Sequence, residues 1–499
     1  MRVIQHRQMS IGEVDVSKVI FDARSRDDIP KILRGLQHLY TDTSLRAPVF
    51  ELLTSQIAPK VNKDNGRPGM TLWAILVCGV VRLDLNIDYD RLQELVNHHD
   101  TLRQMLGHGE FDKEPYAFQT LKDNVMLLTP ELLDKINQIV VPAGHALLKK
   151  KENEALRGRC DSFVVETNVH YPTDINLLYD AMRRVITLTA QWCDAHDLSD
   201  WRQSAYNIRH VKRFMRTAQN KKRSKATSIA QQLKNAVLIR TAHQDYLDVA
   251  QQYLQSATGT VTKLAGLGDT ILGMARKIEI DGFMRHAERQ IDQIKRRVID
   301  GQTIPHAEKV FSIFEPHTEW ISKGKAGVPV ELGVKVCILE DQHQFILHHQ
   351  VMEQKGDDQV TVSMVVEAKA RFPRLNVCSF DKGFHSPENQ TALKEQLALV
   401  VLPRKGKLSA PARAIEQSKE FINARHAHSA VESAINGLEV HGLDRCPDHG
   451  IAGFKRYVAL AVVARNIHRI GAILAERALI RLQRATKYAE RQPMVRLAI

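Results

Sequence analysis

Three acidic residues, on three separate stretches of this 499-residue chain, have the type and placement to share one chemistry. Asp381 ends the apolar run Asn376-Val377-Cys378-Ser379-Phe380, which follows Phe372-Pro373 and reads as a buried strand. Gly383 breaks that strand, and Ser386-Pro387-Glu388 opens a helix with Ser386 as N-cap and Pro387 at the first helical position. Asp381 is therefore expected at the carboxyl end of a core strand, on the lip of a turn, where open sheets bind ligands. The plainer reading is an Asp that only initiates the turn. Asp161 is expected at the start of another strand, within Arg157-Gly158-Arg159-Cys160-Asp161-Ser162-Phe163-Val164-Val165-Glu166-Thr167. Its plain reading is a strand-edge Asp. Glu432 lies on an expected helix over 427–438, four residues after His428 and seven before Glu439, which puts these three on one face. Val431, Ala434, Ile435 and Leu438 make its apolar face, and a solvated Glu432 is the plain alternative. Carboxylates from separate elements can hold two hard divalent cations through oxygen. Two such ions about 3.5–4 Å apart would clamp a phosphodiester.

The elements that must position these groups fall into a pattern. Residues 1–150 read as helices, including a nearly all-apolar one from Thr71 to about Leu83, preceded by the basic turn Asn65-Gly66-Arg67-Pro68-Gly69. Small helices with tight turns suit a DNA-binding module or an all-helical dimerisation domain, and periodicity does not choose between them. Strand patterns occupy 151–199 and 306–475, with 310–314, 330–339 and 345–351 as strands, a hairpin loop at 340–344 and a last strand at 397–402. Between them, residues 200–305 contain no proline before Pro305 and read as long helices rich in Gln, Lys and Arg. The expected fold class is therefore α/β, a mixed sheet flanked by helices and interrupted by an all-helical insertion, with an all-α N-terminal domain and a basic tail at 476–499.

The net charge of +13 points to a polyanionic partner, most often nucleic acid. Candidate phosphate contacts are Arg67, then Arg209, Lys212 and Arg213, then Lys221, Lys222 and Arg223 in the helical block. Lys323 and Lys325 stand in a Gly-rich loop, Arg404 and Lys405 follow the last strand, and Arg425 and His428 precede Glu432. Such runs also line ordinary solvated faces. Trp201, Tyr206 and Trp320 could stack on bases, although core packing is the simpler role. Six scattered cysteines without a CxxC pair argue against a disulfide framework. His426, His428, His441, Cys446 and His449 match no common zinc spacing. The N-terminus lacks a signal-peptide core, and the apolar run Leu72–Val81 is too short to span a bilayer, so a soluble cytoplasmic or nucleoid-associated protein is expected.

Three runs together resemble the motifs of bacterial insertion-sequence transposases of the DDE type, closest to their not-classified-yet group. They are 159–167, Phe380-Asp381-Lys382-Gly383-Phe384-His385-Ser386 and His428-Ser429-Ala430-Val431-Glu432, continued by 437–445. The basic turn at 65–69 with its following helix resembles their DNA-binding region, and the likeness covers about residues 60–475. It implies an RNase H-like catalytic domain and two Mg²⁺ or Mn²⁺ ions held by Asp161, Asp381 and Glu432. It also implies cutting and joining at the terminal inverted repeats of an element, with double-stranded DNA as partner and a homodimer or higher oligomer on it. Related transposases carry a Tyr seven and an Arg four residues before the Glu, and a Lys seven after. Here Arg425, His428 and Glu439 stand there. A non-cutting regulator derived from a transposase, and a metal-dependent nuclease without joining, are the alternatives.

Overall fold

A computed structural model describes residues 3–4, 9, 11–57, 69–148, 154–223, 228–266, 271–322 and 330–491. Arg67, Lys323 and Lys325 lie outside these residues, as do the turn at 65–68 and the tail beyond 491. The chain forms two compact units, one of residues 1–168 and 321–499, the other of residues 169–320.

The first unit is built on a mixed sheet. Its strands are β1 (Leu156–Thr167), β2 (Glu319–Ser322), β3 (Val330–Asp341), β4 (Ile346–Val351), β5 (Leu375–Phe380), β6 (Leu399–Val401) and β7 (Arg445–Cys446). The order is β2-β3-β1-β5-β6, with β4 also on β3 and β7 on β1. β1 runs antiparallel to β3 and parallel to β5, which runs parallel to β6. The expected hairpin is present, as β3 and β4 pair antiparallel around residues 342–345. Segment 310–314, expected as a strand, is irregular. Ile313 is buried in the core of the second unit and Phe311 packs on Trp320, so packing rather than a ladder accounts for its apolar residues.

Helices of the N-terminal third join the sheet in one hydrophobic core. Helix Leu72–Asp84 is buried along its whole length, with Thr71 as its N-cap accepting from the Ala74 amide. The last helix, Gly450–Arg491, packs against helices Ile29–Thr41 and Pro130–Ala146. Its crossing with 29–41 is close because glycines face backbone there: a methyl on Gly35 would strike the Ile467 carbonyl, and one on Gly471 the Lys31 carbonyl. Segment Gly450–Lys487 is long and apolar enough to cross a membrane by length and composition, which the sequence reading did not count, and 72% of its most apolar window is buried in protein. Buried amides tie this helix to the sheet. Asn466 accepts from the Ile346 amide at 2.9 Å and donates to Asn137 Oδ1 at 2.7 Å, while Asn137 donates to the Ile346 carbonyl at 3.0 Å. A buried backbone group left unpaired would cost far more than the bond contributes.

The second unit is helical: Asp174–Asp194, Ser204–Arg223, Ile229–Ala265 and Ile271–Ile294 share a separate core. Helix 174–194 belongs here rather than with the sheet, since Leu178, Met182, Val185 and Ile186 close that core.

Candidate active site

β1 and β5 bring two of the three acids together. Cys160 pairs with Phe380, so Asp161 and Asp381 follow at the same level on neighbouring parallel strands. Asp161 lies in the middle of β1, not at its start, because Arg157-Gly158-Arg159 joins the strand. Asp381 sits where expected, one residue past β5, and the turn Lys382–Phe384 leads to the helix Pro387–Gln396 capped by Ser386.

Alternation along a strand gives Arg159, Asp161, Ser379 and Asp381 one face. Helix Lys419–His428 lies over this face, where the Arg159 guanidinium reaches the Ala427 carbonyl at 3.4 Å. His428 is buried between the strands' ends, with Nδ1 3.0 Å from Ser379 Oγ and Nε2 3.5 Å from Asp381 Oδ1. Arg159 also pairs with Glu340 at 2.9 Å, and burial pushes the Glu340 carboxyl up to about 7.

The two aspartates are driven in opposite directions. Burial pushes Asp161 up to about 6, with the neighbouring Asp381 and Asp357 adding to the rise. Its Oδ1 accepts from the Ser162 amide at 2.7 Å, which opposes that rise. His428 holds Asp381 below the usual carboxylate range, helped by Arg425. Two acid groups pushed apart in this way are a feature of reactive sites.

Asp357 is a fourth carboxylate that sequence reasoning missed. It opens the helix Asp357–Arg371. Ser162 Oγ donates to it at 2.7 Å, and Lys335 Nζ stands 3.3 Å away. Ser162 faces away from Asp161 along β1, so Asp357 touches the opposite side of the strand. Asp357-Asp358 after Gly356, acids at a helix start, was the available signal.

Glu432 lies on a different helix from His428. It stands exposed in the first turn of helix Ala430–Leu438, while Val431, Ala434 and Leu438 are buried. Ser429 separates this helix from 419–428, and His428 is buried while Glu432 is exposed, so the expected common face is broken. Among the described residues, Asp161, Asp381 and Glu432 do not form a set whose ligand atoms all lie within 4.8 Å of one another. Such a set does occur elsewhere, at Asp84, His441 and His468.

The cations are distributed as follows. Lys405 Nζ donates to the Gly383 carbonyl at 3.1 Å, in the turn after Asp381, and Arg404 is exposed beside it. Burial first, then Arg404 and Lys405, hold the His385 imidazole below its ordinary range. Arg425 is exposed on the helix of His428. In the second unit Arg209 and Arg213 are exposed on helix 204–223, Lys212 lies over the Tyr179 ring, and Lys221 and Lys222 are exposed near the helix end that includes Arg223. Tyr206 is exposed and stacks on His210 at 5.8 Å, Trp201 donates to Thr260, and Trp320 packs on Tyr171 and Phe311.

No family model, curated protein or solved structure matches this chain.

Proposed function

We propose that this chain is a DNA transposase of the DDE type, which cuts at the ends of an insertion element and joins the freed 3′-hydroxyl to target DNA. The observation that carries the reading is that Asp161 and Asp381 each directly follow the paired residues Cys160 and Phe380, with His428 beside Asp381 and cations around the turn. A mixed sheet flanked by helices supports the RNase H-like expectation.

Two of the three expected ligands, Asp161 and Asp381, are carboxylates of the kind that hold a divalent metal. Burial raises Asp161 first and the neighbouring Asp381 adds to the rise, and a cation between the two would oppose both. Asp161 and Asp381 would supply the oxygen ligands, with Glu432 as the third. Bound magnesium or manganese would supply Lewis-acid chemistry at the scissile phosphate. His428 holds Asp381 in place and keeps it ionised. Arg425, exposed on the same helix, is placed to meet a phosphate. In the first step water attacks the phosphodiester and the 3′-oxygen leaves; in the second that 3′-hydroxyl attacks a target phosphate and displaces another 3′-oxygen. Neither step uses a covalent enzyme intermediate. The exposed Arg209 and Arg213 suit backbone contacts to double-stranded DNA. A dimer on DNA would bring two element ends together.

One observation favours a second reading, a transposase-derived DNA-binding regulator that does not cut: among the described residues, Asp161, Asp381 and Glu432 do not bring their ligand atoms within 4.8 Å of one another. The deciding experiment incubates the protein with Mg²⁺ and DNA carrying the sequences that flank its own gene, beside Asp381→Asn. Cut and joined products from the unaltered protein alone support the transposase. Products that are cut but never joined support a nuclease. Binding without products supports the regulator, and equal products from both proteins remove the metal site.

A further inference from the structure

We propose that Asp84, His441 and His468 form a binding site for one transition-metal ion of the zinc class, separate from the aspartate pair and independent of the transposase reading. Asp84 is wholly buried at the end of helix 72–84, and His441 and His468 are 8% and 7% exposed. His441 comes from the kinked segment Glu439–Leu443, and His468 from the last helix.

The ligand atoms converge. Asp84 Oδ1 lies 2.9 Å from His468 Nδ1 and 3.8 Å from His441 Nδ1. A tetrahedral zinc with bonds near 2.0–2.1 Å places its ligand atoms about 3.3 Å apart, so the two distances bracket that edge. His441 Nδ1 also donates to the Asp84 backbone carbonyl, and a metal at Nδ1 would replace that proton. The imidazole rings stand 5.1 Å apart. Asp28, whose Oδ1 is 4.0 Å from His468 Nε2, and Arg465, close enough to feel Asp84, are the other charges facing the cluster. Two imidazoles and a carboxylate suit zinc, cobalt or nickel, whereas magnesium prefers oxygen alone. A proton on His468 shared with Asp84 would satisfy that one pair. The His441 bond to the Asp84 carbonyl satisfies the second imidazole, and the metal reading rests on both rings converging on one buried carboxylate within ligand distance.

The three residues are far apart in sequence, so spacing could not show them, and His441 was set aside with the wrong neighbours. The site lies at the root of helix 430–438, because segment 439–443 continues that helix directly. Metal binding would therefore pin the end of the helix that carries Glu432 to the buried helix 72–84.

The test uses the full chain, stripped with EDTA and titrated with Co²⁺. We expect a visible absorption band that saturates at one equivalent, is displaced by Zn²⁺ and is unmoved by a 100-fold excess of Mg²⁺ (about 100-fold is ample against a site with two imidazole nitrogens). The band should weaken about 100-fold or more in affinity in His468→Gln and in His441→Gln, and persist in the double variant Asp161→Asn, Asp381→Asn. Absence of the band in the wild type, its survival in both histidine variants, or its loss in the aspartate double variant would each overturn the site. Should a histidine variant fail to fold, X-ray absorption of the zinc-loaded wild type decides. Two imidazole nitrogens with oxygen support the site, and sulfur or oxygen alone refutes it.

Discussion

Asp161 on β1 and Asp381 just past the end of β5 each follow the paired residues Cys160 and Phe380 of two parallel strands. More than two hundred residues separate them along the chain, so only the sheet register brings them together. If this pair is the catalytic centre, Asp161→Asn and Asp381→Asn should each lower cutting of end DNA by about 100-fold or more. Affinity for the same DNA, measured by gel shift, should change little. Glu432→Gln tests whether the exposed Glu432 enters the site once DNA is bound. Loss of cutting on the same scale is expected, and full activity would leave the aspartates without their third ligand.

Glu340 makes stability depend on pH. Its folded-state pKa, about 7, lies above the unfolded value, so its contribution is fully present below about pH 4.5. That contribution is lost as pH rises through about 7, by roughly 3 kcal/mol. Urea midpoints of wild type and Glu340→Gln between pH 5 and 8 should diverge accordingly. The wild type loses this increment and the variant does not.

The crossing of helices 29–41 and 450–491 has no room for a side chain at Gly471. Gly471→Ala should lower stability by about 2–3 kcal/mol, because the rigid Lys31 carbonyl must be pushed aside. Thermal unfolding measures this, and a solvent-facing control such as Gly259→Ala, with open space around it, should not show the loss.

Arg209 and Arg213 are exposed on helix 204–223. If they touch phosphates, changing both to Ala should reduce the slope of log affinity against log salt by about 2. The affinity loss should be similar for all DNA sequences, which fluorescence anisotropy with end and unrelated duplexes would report.

Much of the frame was legible because local chemistry and final structure agree. Ser386 and Pro387 mark a helix start that the fold uses, and the break at Gly383 puts Asp381 at the strand end. The hairpin between β3 and β4 follows from its polar loop. Segment 310–314 misled because apolar alternation describes burial, and here burial comes without a ladder partner. Asp357 was hidden because its meaning comes from Ser162 and Lys335, which only β1 and β3 bring near. The same holds for Asp84, whose partners lie at the far end of the chain. Helical spacing placed His428 and Glu432 together, but the break at Ser429 lies between them.

β1 and β3 form an antiparallel pair whose last matched residues, Glu166 and Gly333, flank everything from Val169 to Trp320. In connectivity, that helical body and β2 fall between two strands that pair antiparallel. A two- to five-residue turn joins such strands elsewhere in proteins. An abridged gene with a short loop in place of residues 169–318, which keeps β2, should still yield a folded sheet, and so allow the sheet unit to be assayed alone.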